Sequence, residues 1–136
     1  MRGGYSLIEA APTADEYRAL RVAAGMGPKG AEAAARGLPN SLYAVTVLKD
    51  GRPVGMGRII GDGGLFLQVV DIAVEPAHQG QGLGKAIMAQ LMSWVEQTAT
   101  PGTYVSLIAD GEAKRLYAQY GFAETAPKSV GMARLF

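Results

Sequence analysis

The chain has 136 residues, 49% apolar and 18% charged, with a formal net charge of +1. A chain of this length can bury a core, so we expect one domain over residues 1–136. The charge is too small for a surface that follows nucleic-acid phosphates, and one histidine without cysteines offers little to hold a metal. No apolar run approaches the ~20 residues of a membrane span, and residues 1–5 lack the apolar core of a signal peptide. We therefore expect a cytoplasmic protein without a metal, nucleic-acid or membrane partner.

The first third of the chain predicts one strand and two helices. Residues 5–9 alternate in the manner of a short strand. A helix is expected from Thr13 or the next residue to about residue 25, with Thr13 as its cap. An alanine-rich second helix spans about residues 29–36.

The middle of the chain predicts an antiparallel meander. Residues 42–48, 53–60 and 65–74 form three apolar runs separated by two glycine-containing turns. The pair Asp50-Gly51 between the first two runs is a strong hairpin signal.

Polar side chains interrupt the apolar rows of the second and third meander strands. By the two-residue period of a strand, Asp71 shares a face with Val69 and Ala73, and Gln68 lies on the opposite face. A charged side chain in an apolar row is costly unless it is paired or hydrated. An internal Arg58–Asp71 ion pair and a solvated pocket that binds a ligand are both open at this point, and they are compatible. Arg58 shares its predicted face with Val54, Met56 and Ile60.

A strand, a glycine-rich turn and a helix follow one another over residues 69–85. Gly80, Gly82 and Gly84 fall at every second position, at the start of a helix expected over residues 81–98. A helix N-terminus carries unpaired amides and the positive end of the dipole, so this turn predicts an anion site. The spacing fits neither the P-loop nor the dinucleotide-binding pattern.

The last third predicts a parallel strand, a helix and two further strands. Residues 104–109 alternate, and the preceding helix makes them the second strand of a right-handed crossover unit. Residues 110–121 predict a helix with Asp110 as its cap. Residues 122–125 and 130–135 complete the expected elements as two short strands.

Two motifs in these segments resemble the GNAT N-acetyltransferase superfamily. Gln79, Gly82 and Gly84 match its acetyl-CoA motif Gln-x-x-Gly-x-Gly. The run from Ala113 through Phe122 resembles its Ala-x-x-Leu-Tyr-x-x-x-Gly-Phe pattern, with matches at Ala113, Leu116, Tyr117, Gly121 and Phe122. The resemblance implies an α+β fold: a mostly antiparallel central sheet with one splayed parallel strand pair, and helices on both faces. In this family an N-terminal helical pair covers part of the acceptor site, although a plain surface helix is an equally open reading of the second helix here.

The resemblance also implies the roles of particular residues. Tyr117 matches the usual general acid, while Asp71 or Gln68 orders the water that acts as base. The acceptor is expected to contact Arg58, Asp71 and Gln68. Asp110 stands where many members carry an asparagine that contacts the coenzyme; a carboxylate has no amide N–H to donate, which favours its role as a helix cap. The residues expected to bind acetyl-CoA are Ile72, Ala73, Val74, Gln79, Gly80, Gln81, Gly82, Leu83, Gly84, Lys85, Asp110 and Tyr117.

The function implied is acetyl transfer from acetyl-CoA to a primary amine of a small molecule by direct attack, without a covalent enzyme intermediate. The alternatives are a non-catalytic module that senses acyl-CoA and an acetyltransferase that acts on a protein or peptide amine. Retention of Tyr117 favours catalysis over sensing. The acceptor cannot be read from the fold, and a homodimer is left open.

Overall fold

The computed structural model describes residues 3–136. Met1 and Arg2, part of the stretch in which no signal peptide is expected, lie outside the described residues. One sheet has the strand order β1-β2-β3-β4-β5; its first four strands are antiparallel, and β5 runs parallel to β4. This confirms the predicted mixed sheet with one parallel pair. The strands are β1 (Tyr5–Ile8), β2 (Tyr43–Lys49), β3 (Arg52–Gly61), β4 (Phe66–Val74) and β5 (Tyr104–Ser106).

Four helices accompany the sheet: α1 (Ala14–Ala23), α2 (Ala31–Gly37), α3 (Leu83–Thr98) and α4 (Lys114–Ala118). Thr13 caps α1 as predicted, because its hydroxyl accepts from the Glu16 amide at 3.2 Å and the Glu16 carboxylate accepts from the Thr13 amide at 2.9 Å. The helix predicted over residues 110–121 is shorter than expected, since a 3₁₀ turn at Gly111–Ala113 precedes α4. Across residues 3–136, no helix is both long enough and apolar enough to cross a membrane.

The main core lies between α3 and one face of the sheet, where α3 packs very close to β3. A Cβ on Gly57 would lie 2.7 Å from Ile87 Cγ2 and 2.9 Å from Leu91 Cδ1. Glycine at this position is therefore a requirement of packing. The buried members of this core are Tyr5, Val45, Val47, Val54, Ile59, Leu67, Val69, Leu83, Ile87, Met88, Leu91, Met92 and Val95.

A second buried cluster lies on the opposite face of the sheet, beneath α1 and α2. It confirms that helices cover both faces. Its members are Tyr17, Leu20, Ala34, Leu38, Met56 and Ala73.

A register shift in β3 makes part of the predicted face assignment wrong. The β2–β3 pairing skips Val54, and the extra residue changes the side to which the following residues point. Val54 consequently packs on the α3 side, whereas Met56 packs on the α1 side. Arg58 and Ile60 remain together and line one cleft, as predicted.

A second bulge, in β4, makes the predicted faces of that strand wrong. Met56 pairs with Ala73 and Arg58 with Val70, so two residues of β4 lie opposite the single Gly57. One of the two is Asp71, whose φ is +60°. Such a bulge breaks the two-residue alternation of a strand.

The bulge places Asp71 on the α1 side of the sheet. Val69 packs in the α3-side core and Ala73 in the α1-side cluster, so these two residues do not share a face. Gln68 pairs with Ile60 and lies on the same side as Asp71, not on the opposite face as predicted.

The C-terminal strands predicted over residues 122–125 and 130–135 are absent from the described structure, and β5 ends at Ser106, not at residue 109. Val130 and Met132 are 68% and 90% exposed. Their alternation expresses strand propensity, but a strand also needs a neighbour to pair its amides, and within residues 3–136 this segment has none.

Candidate active site

A cleft of about 610 Å³ opens where β4 and β5 separate. The parallel pairing ends at Gln68 and Ser106, whereas β4 continues to Val74. The edge of β4 that faces β5 is therefore unpaired beyond Gln68 among the described residues. The cleft is lined by Tyr17, Arg21, Met26, Lys29, Arg58, Ile60, Gln68, Val69, Val70, Asp71, Ile72, Leu107, Ile108, Asp110, Ala113 and Tyr117.

The end of β4 presents main-chain groups along this open edge. The Glu75 amide donates to the Val54 carbonyl on β3 at 2.8 Å. Successive residues of a strand direct their amides to opposite edges, so the peptide groups of Val74 face the open side. The Val74 carbonyl there accepts from the side-chain amide of Gln79 at 3.0 Å. Ile72, Ala73 and Val74, predicted to pair with the pantetheine arm, thus lie on the strand whose outer edge is open, although by the same alternation the peptide groups of Ala73 face β3.

The glycine-rich turn joins this edge to the start of α3. Gly80 and Gly82 have φ values of +78° and +80°, and a Cβ on either would meet nothing within 4 Å. Glycine at these two positions therefore allows the left-handed backbone conformation and leaves the surface of the turn open. The first helical bond of α3 runs from the Ala86 amide to the Gly82 carbonyl at 3.0 Å, so the preceding amides are those that a helix leaves unpaired.

Not every residue of the predicted coenzyme turn presents its side chain to solvent. Leu83 is only 3% exposed and anchors α3 in the core, so only its main chain is available to a ligand. Gly84 is half-buried, and a Cβ there would meet Leu116 Cδ2 at 3.6 Å. The exposed members are Gln79, Gly80, Gln81, Gly82 and Lys85.

Asp71 is the centre of a hydrogen-bonded ion cluster at one end of the cleft. Its Oδ1 accepts from Arg21 Nη1 at 2.6 Å. Its Oδ2 accepts from Arg58 Nε at 2.9 Å and from the Tyr17 hydroxyl at 3.0 Å. The side chains of Asp71 and Arg58 are 6% and 11% exposed. The predicted Arg58–Asp71 pair is present, and both residues line the cleft; binding of an acceptor there stays a prediction.

The two arginines connect this cluster to the surrounding loops. Arg21 Nε donates to the Gly27 carbonyl at 2.8 Å, in the loop between α1 and α2. Arg58 Nη1 donates to Ser41 Oγ at 2.8 Å, and that hydroxyl donates to the Leu38 carbonyl. The cluster therefore ties α1 and the segment after α2 to the bulge in β4.

Tyr117 and Asp110 also line the cleft, and Tyr117 packs against the α3-side core, not in the α1-side cluster that contains Tyr17. Burial raises the pKa of the Tyr117 phenol above its ordinary value, and the nearby charge of Asp110 raises it further. Asp110 occupies the predicted N-cap position, but its side chain makes no capping hydrogen bond. The prediction that Asp110 acts as a cap is wrong in this respect, because the 3₁₀ turn is closed by its main-chain carbonyl, which accepts from the Ala113 amide at 3.1 Å.

The resemblance implied a role for the N-terminal helical pair, but sequence reasoning named none of the cleft residues that come from α1 and the loop after it: Tyr17, Arg21, Met26 and Lys29. A signal was available for Arg21, which follows Tyr17 by one helical turn and so lies beside the apolar face of α1. No comparable signal marks Met26 or Lys29, because a loop has no period. Within residues 3–136, no group of three or more acidic, histidine or cysteine side chains could hold a metal ion.

Comparison with known proteins agrees with this geometry. A family model described as "Acetyltransferase (GNAT) domain" matches residues 40–124, well over half of the chain. A serotonin N-acetyltransferase 2 (chloroplastic) from Oryza sativa is 36% identical over 83 residues, which are 61% of this chain and 40% of that protein. A histone acetyltransferase from Glycine max is 33% identical over 79 residues, 58% of this chain and 33% of that protein. The chain thus spans well under half the length of these relatives.

Solved structures extend the likeness to nearly the whole chain. A probable acetyltransferase of unknown function from meticillin-resistant Staphylococcus aureus superimposes with a TM-score of 0.94 at 46% identity, over 97% of this chain and 99% of that one. A glucosamine-6-phosphate N-acetyltransferase from Arabidopsis thaliana superimposes with a TM-score of 0.71 at 17% identity, over 98% and 99% of the two chains, and shows the fold alone. By its family match and its fold, the chain belongs to the GNAT acetyltransferase family.

Proposed function

We propose that this protein transfers the acetyl group of acetyl-CoA to a primary amine of a small molecule. The observation that carries the proposal is that one cleft joins the unpaired edge of β4 to the Tyr117 phenol. The same cleft holds Gln68, Arg58 and Asp71. A donor placed along that edge and an acceptor placed beside the arginines therefore meet in one space.

The chain offers acetyl-CoA two kinds of main-chain contact. The unpaired edge of Ile72–Val74 suits an extended pantetheine arm, which would add to the sheet as a further strand does. The open turn at Gly80 and Gly82, followed by the N-terminus of α3, suits the pyrophosphate. Both supports need only main-chain groups and glycine.

We assign to the chain the two proton transfers that accompany direct attack by the acceptor amine. The amine nitrogen bonds to the thioester carbonyl carbon, and the carbon–sulfur bond then breaks as coenzyme A leaves as a thiolate. Tyr117, whose raised pKa keeps it protonated at neutral pH, donates its proton to that sulfur. The proton of the attacking amine passes to water in the cleft, next to the polar side chain of Gln68.

Asp71 is assigned a positioning role in this mechanism. Both of its oxygens accept hydrogen bonds, two of them from guanidinium groups, so its charge is already engaged. We assign to it the fixing of Arg21 and Arg58 at the acceptor end of the cleft. Water then serves as the base.

The proposal that the acceptor is a small molecule rests on the size of the cleft. About 610 Å³ lies within the ~300–1,000 Å³ range of pockets that enclose small ligands. The family does not decide this point, since the two relatives described above are named for a small amine and for a histone.

The test is a panel of primary amines incubated with acetyl-CoA, with release of coenzyme A and the acetylated product both measured. Release above the hydrolysis blank for at least one small amine, with matching product, is expected. Acetyl-CoA binding in calorimetry without release for any amine would instead indicate the sensing module. Release only with peptides or proteins would replace the small-molecule acceptor.

A further inference from the structure

The acceptor end of the cleft carries two arginine side chains that still have donors to offer. Arg21 uses Nε and Nη1, and Arg58 also uses Nε and Nη1, for the hydrogen bonds described above. The Nη2 group of each makes no hydrogen bond within the described residues. No side-chain nitrogen among the described residues is both fully buried and unpartnered, so neither Nη2 is completely shielded from solvent.

The charges at this end do not cancel. Asp71 is its one lining anion, against Arg21, Arg58 and the exposed Lys29. The second acidic side chain of the cleft, Asp110, acts on Tyr117, which packs against the α3-side core. The whole chain has a net charge of only +1, so this excess of positive charge is local.

We propose that the acceptor carries an oxyanion, a carboxylate or a phosphate, that binds the Nη2 groups of Arg21 and Arg58. This inference deepens the proposed function and rests on it. Guanidinium groups present N–H donors in a fixed plane that matches the oxygens of such groups. Asp71 holds the two guanidinium groups on either side of one carboxylate, which fixes them before the acceptor arrives.

The same charges set the orientation of the acceptor. An ammonium group is repelled by two guanidinium groups and attracted away from them, toward Asp110 and Tyr117. The oxyanion therefore binds beneath α1, and the amine points to the open edge of β4. Met26 and Ile60 also line the cleft and provide apolar contacts.

The experiment compares matched acceptors that differ only in the anionic group. One arm uses linear ω-amino acids with spacers of two to five carbons and their uncharged amides. A second arm uses aminoalkyl phosphates and the corresponding amino alcohols, and so distinguishes phosphate from carboxylate. For each pair, dissociation constants are measured by calorimetry in the presence of coenzyme A, and kcat/KM for release of coenzyme A from acetyl-CoA is measured separately.

We expect the charged member of at least one pair to bind at least about tenfold more tightly than its neutral partner, as charge-assisted hydrogen bonds predict. Arg21→Gln should reduce the ratio of the dissociation constants of the neutral and the charged member toward one. Arg18→Gln is the matched control: Arg18 Nε also holds a loop carbonyl, that of Lys29 at 2.8 Å, but its side chain does not line the cleft. The control should keep the ratio.

Equal binding of charged and neutral members in the wild type, or an equal loss of the ratio in both variants, overturns the inference. The wild-type ratio decides even if Arg21→Gln does not fold. Turnover of neutral amines as fast as their charged partners leaves the proposed function intact and removes the oxyanion site. Selective binding of anions without any turnover supports the oxyanion site and contradicts the proposed function.

Discussion

At Asp71, backbone conformation and charge depend on each other. Its φ of +60° is sterically accessible to aspartate and asparagine but costly for most side chains. This conformation makes the bulge, and the bulge turns the carboxylate toward α1, where Tyr17, Arg21 and Arg58 donate to it. A single residue thus determines the position of both guanidinium groups at the acceptor end.

Asp71→Asn separates the charge from the backbone conformation, because asparagine tolerates the same φ. The loss of the carboxylate leaves two nearly buried guanidinium groups facing an amide, which should lower the free energy of unfolding by roughly 3–5 kcal/mol. At temperatures where the variant is folded, its turnover should fall far more than its affinity for acetyl-CoA. Urea unfolding, calorimetry and turnover assays measure these effects. A change in stability below about 1 kcal/mol would show that the ion cluster is structurally dispensable.

Tyr117→Phe keeps the aromatic ring and removes the proposed proton donor. We expect unchanged folding, nearly unchanged affinity for acetyl-CoA, and a single-turnover rate lowered by about 10²- to 10⁴-fold. Tyr120→Phe is the matched control, since Tyr120 lies one turn further along and its hydroxyl donates to the Lys85 carbonyl at 3.0 Å, outside the cleft lining. Full single-turnover activity of the Tyr117 variant would assign that residue to packing alone.

At the scale of strands, the apolar pattern predicts where each strand lies in the sequence but not which face of the sheet each side chain occupies. The apolar runs and the Asp50-Gly51 turn predicted β2, β3 and β4 correctly because these signals are local. The two bulges depend on how neighbouring strands pair, so no period within one strand reveals them. The placement of Gln68 and Asp71 on opposite faces was wrong for this reason. Gly57 carried a partial signal, because glycine inside a strand often marks a bulge.

The contact between α3 and β3 gives a stability prediction at this scale. In Gly57→Ala, the new methyl group would lie within 2.9 Å of Ile87, Ile72 and Leu91 side-chain atoms. The resulting overpacking should cost roughly 1–3 kcal/mol in the free energy of unfolding, measured in urea. Gly64→Ala is the control, because a Cβ there meets nothing within 4 Å. An unchanged stability of the Gly57 variant would mean that α3 can move away from the sheet without cost.

The turn before α3 can be tested with two glycines of matched backbone. Gly82 has φ +80° and Gly63 has φ +84°, and both positions are open. Valine at either position should lower the free energy of unfolding by a comparable amount, on the order of 1–3 kcal/mol, because its backbone is strained at this φ. Only Gly82→Val should weaken acetyl-CoA binding, by at least about tenfold in calorimetry, because its side chain obstructs the proposed pyrophosphate site. Equal affinities of the two folded variants would remove that site from the turn.

At the scale of the whole molecule, the strand order and the two-sided helix cover were predictable, whereas the C-terminal region was not. The signals for β2, β3 and β4 lie in contiguous apolar runs that follow one another along the chain, whereas β1 was predicted from its alternation and pairs with the more distant β2. The alternation of residues 130–135 resembles them, yet Val130 is 68% and Phe136 98% exposed. Propensity alone does not supply a pairing partner. The cleft was only half predicted for a related reason: its α1 side comes from a helix more than 30 residues away along the chain.

Stability at alkaline pH tests the packing of the molecule as a whole, because three tyrosines have raised pKa values in the folded state. Burial is the largest cause for each; the charge of Asp71 adds to it at Tyr17, the hydrogen bond to Glu9 at Tyr43, and the charge of Asp110 at Tyr117. A group whose pKa is raised on folding contributes stability that is complete below its unfolded pKa of about 10. That contribution is lost as the pH rises through the folded value.

The free energy of unfolding should therefore fall as the pH is raised above about 10, and Tyr17→Phe isolates one contribution. At neutral pH the variant should be less stable by roughly 1.5–3 kcal/mol, because the charged acceptor Asp71 loses the Tyr17 donor at 3.0 Å. This difference should stay constant up to about pH 9 and then shrink, because the phenol ionises in the unfolded chain while burial and Asp71 keep it protonated in the folded chain. Urea unfolding of both proteins at a series of pH values measures it. A difference that stays constant through the alkaline range would mean that the Tyr17 phenol titrates alike in the folded and unfolded chain.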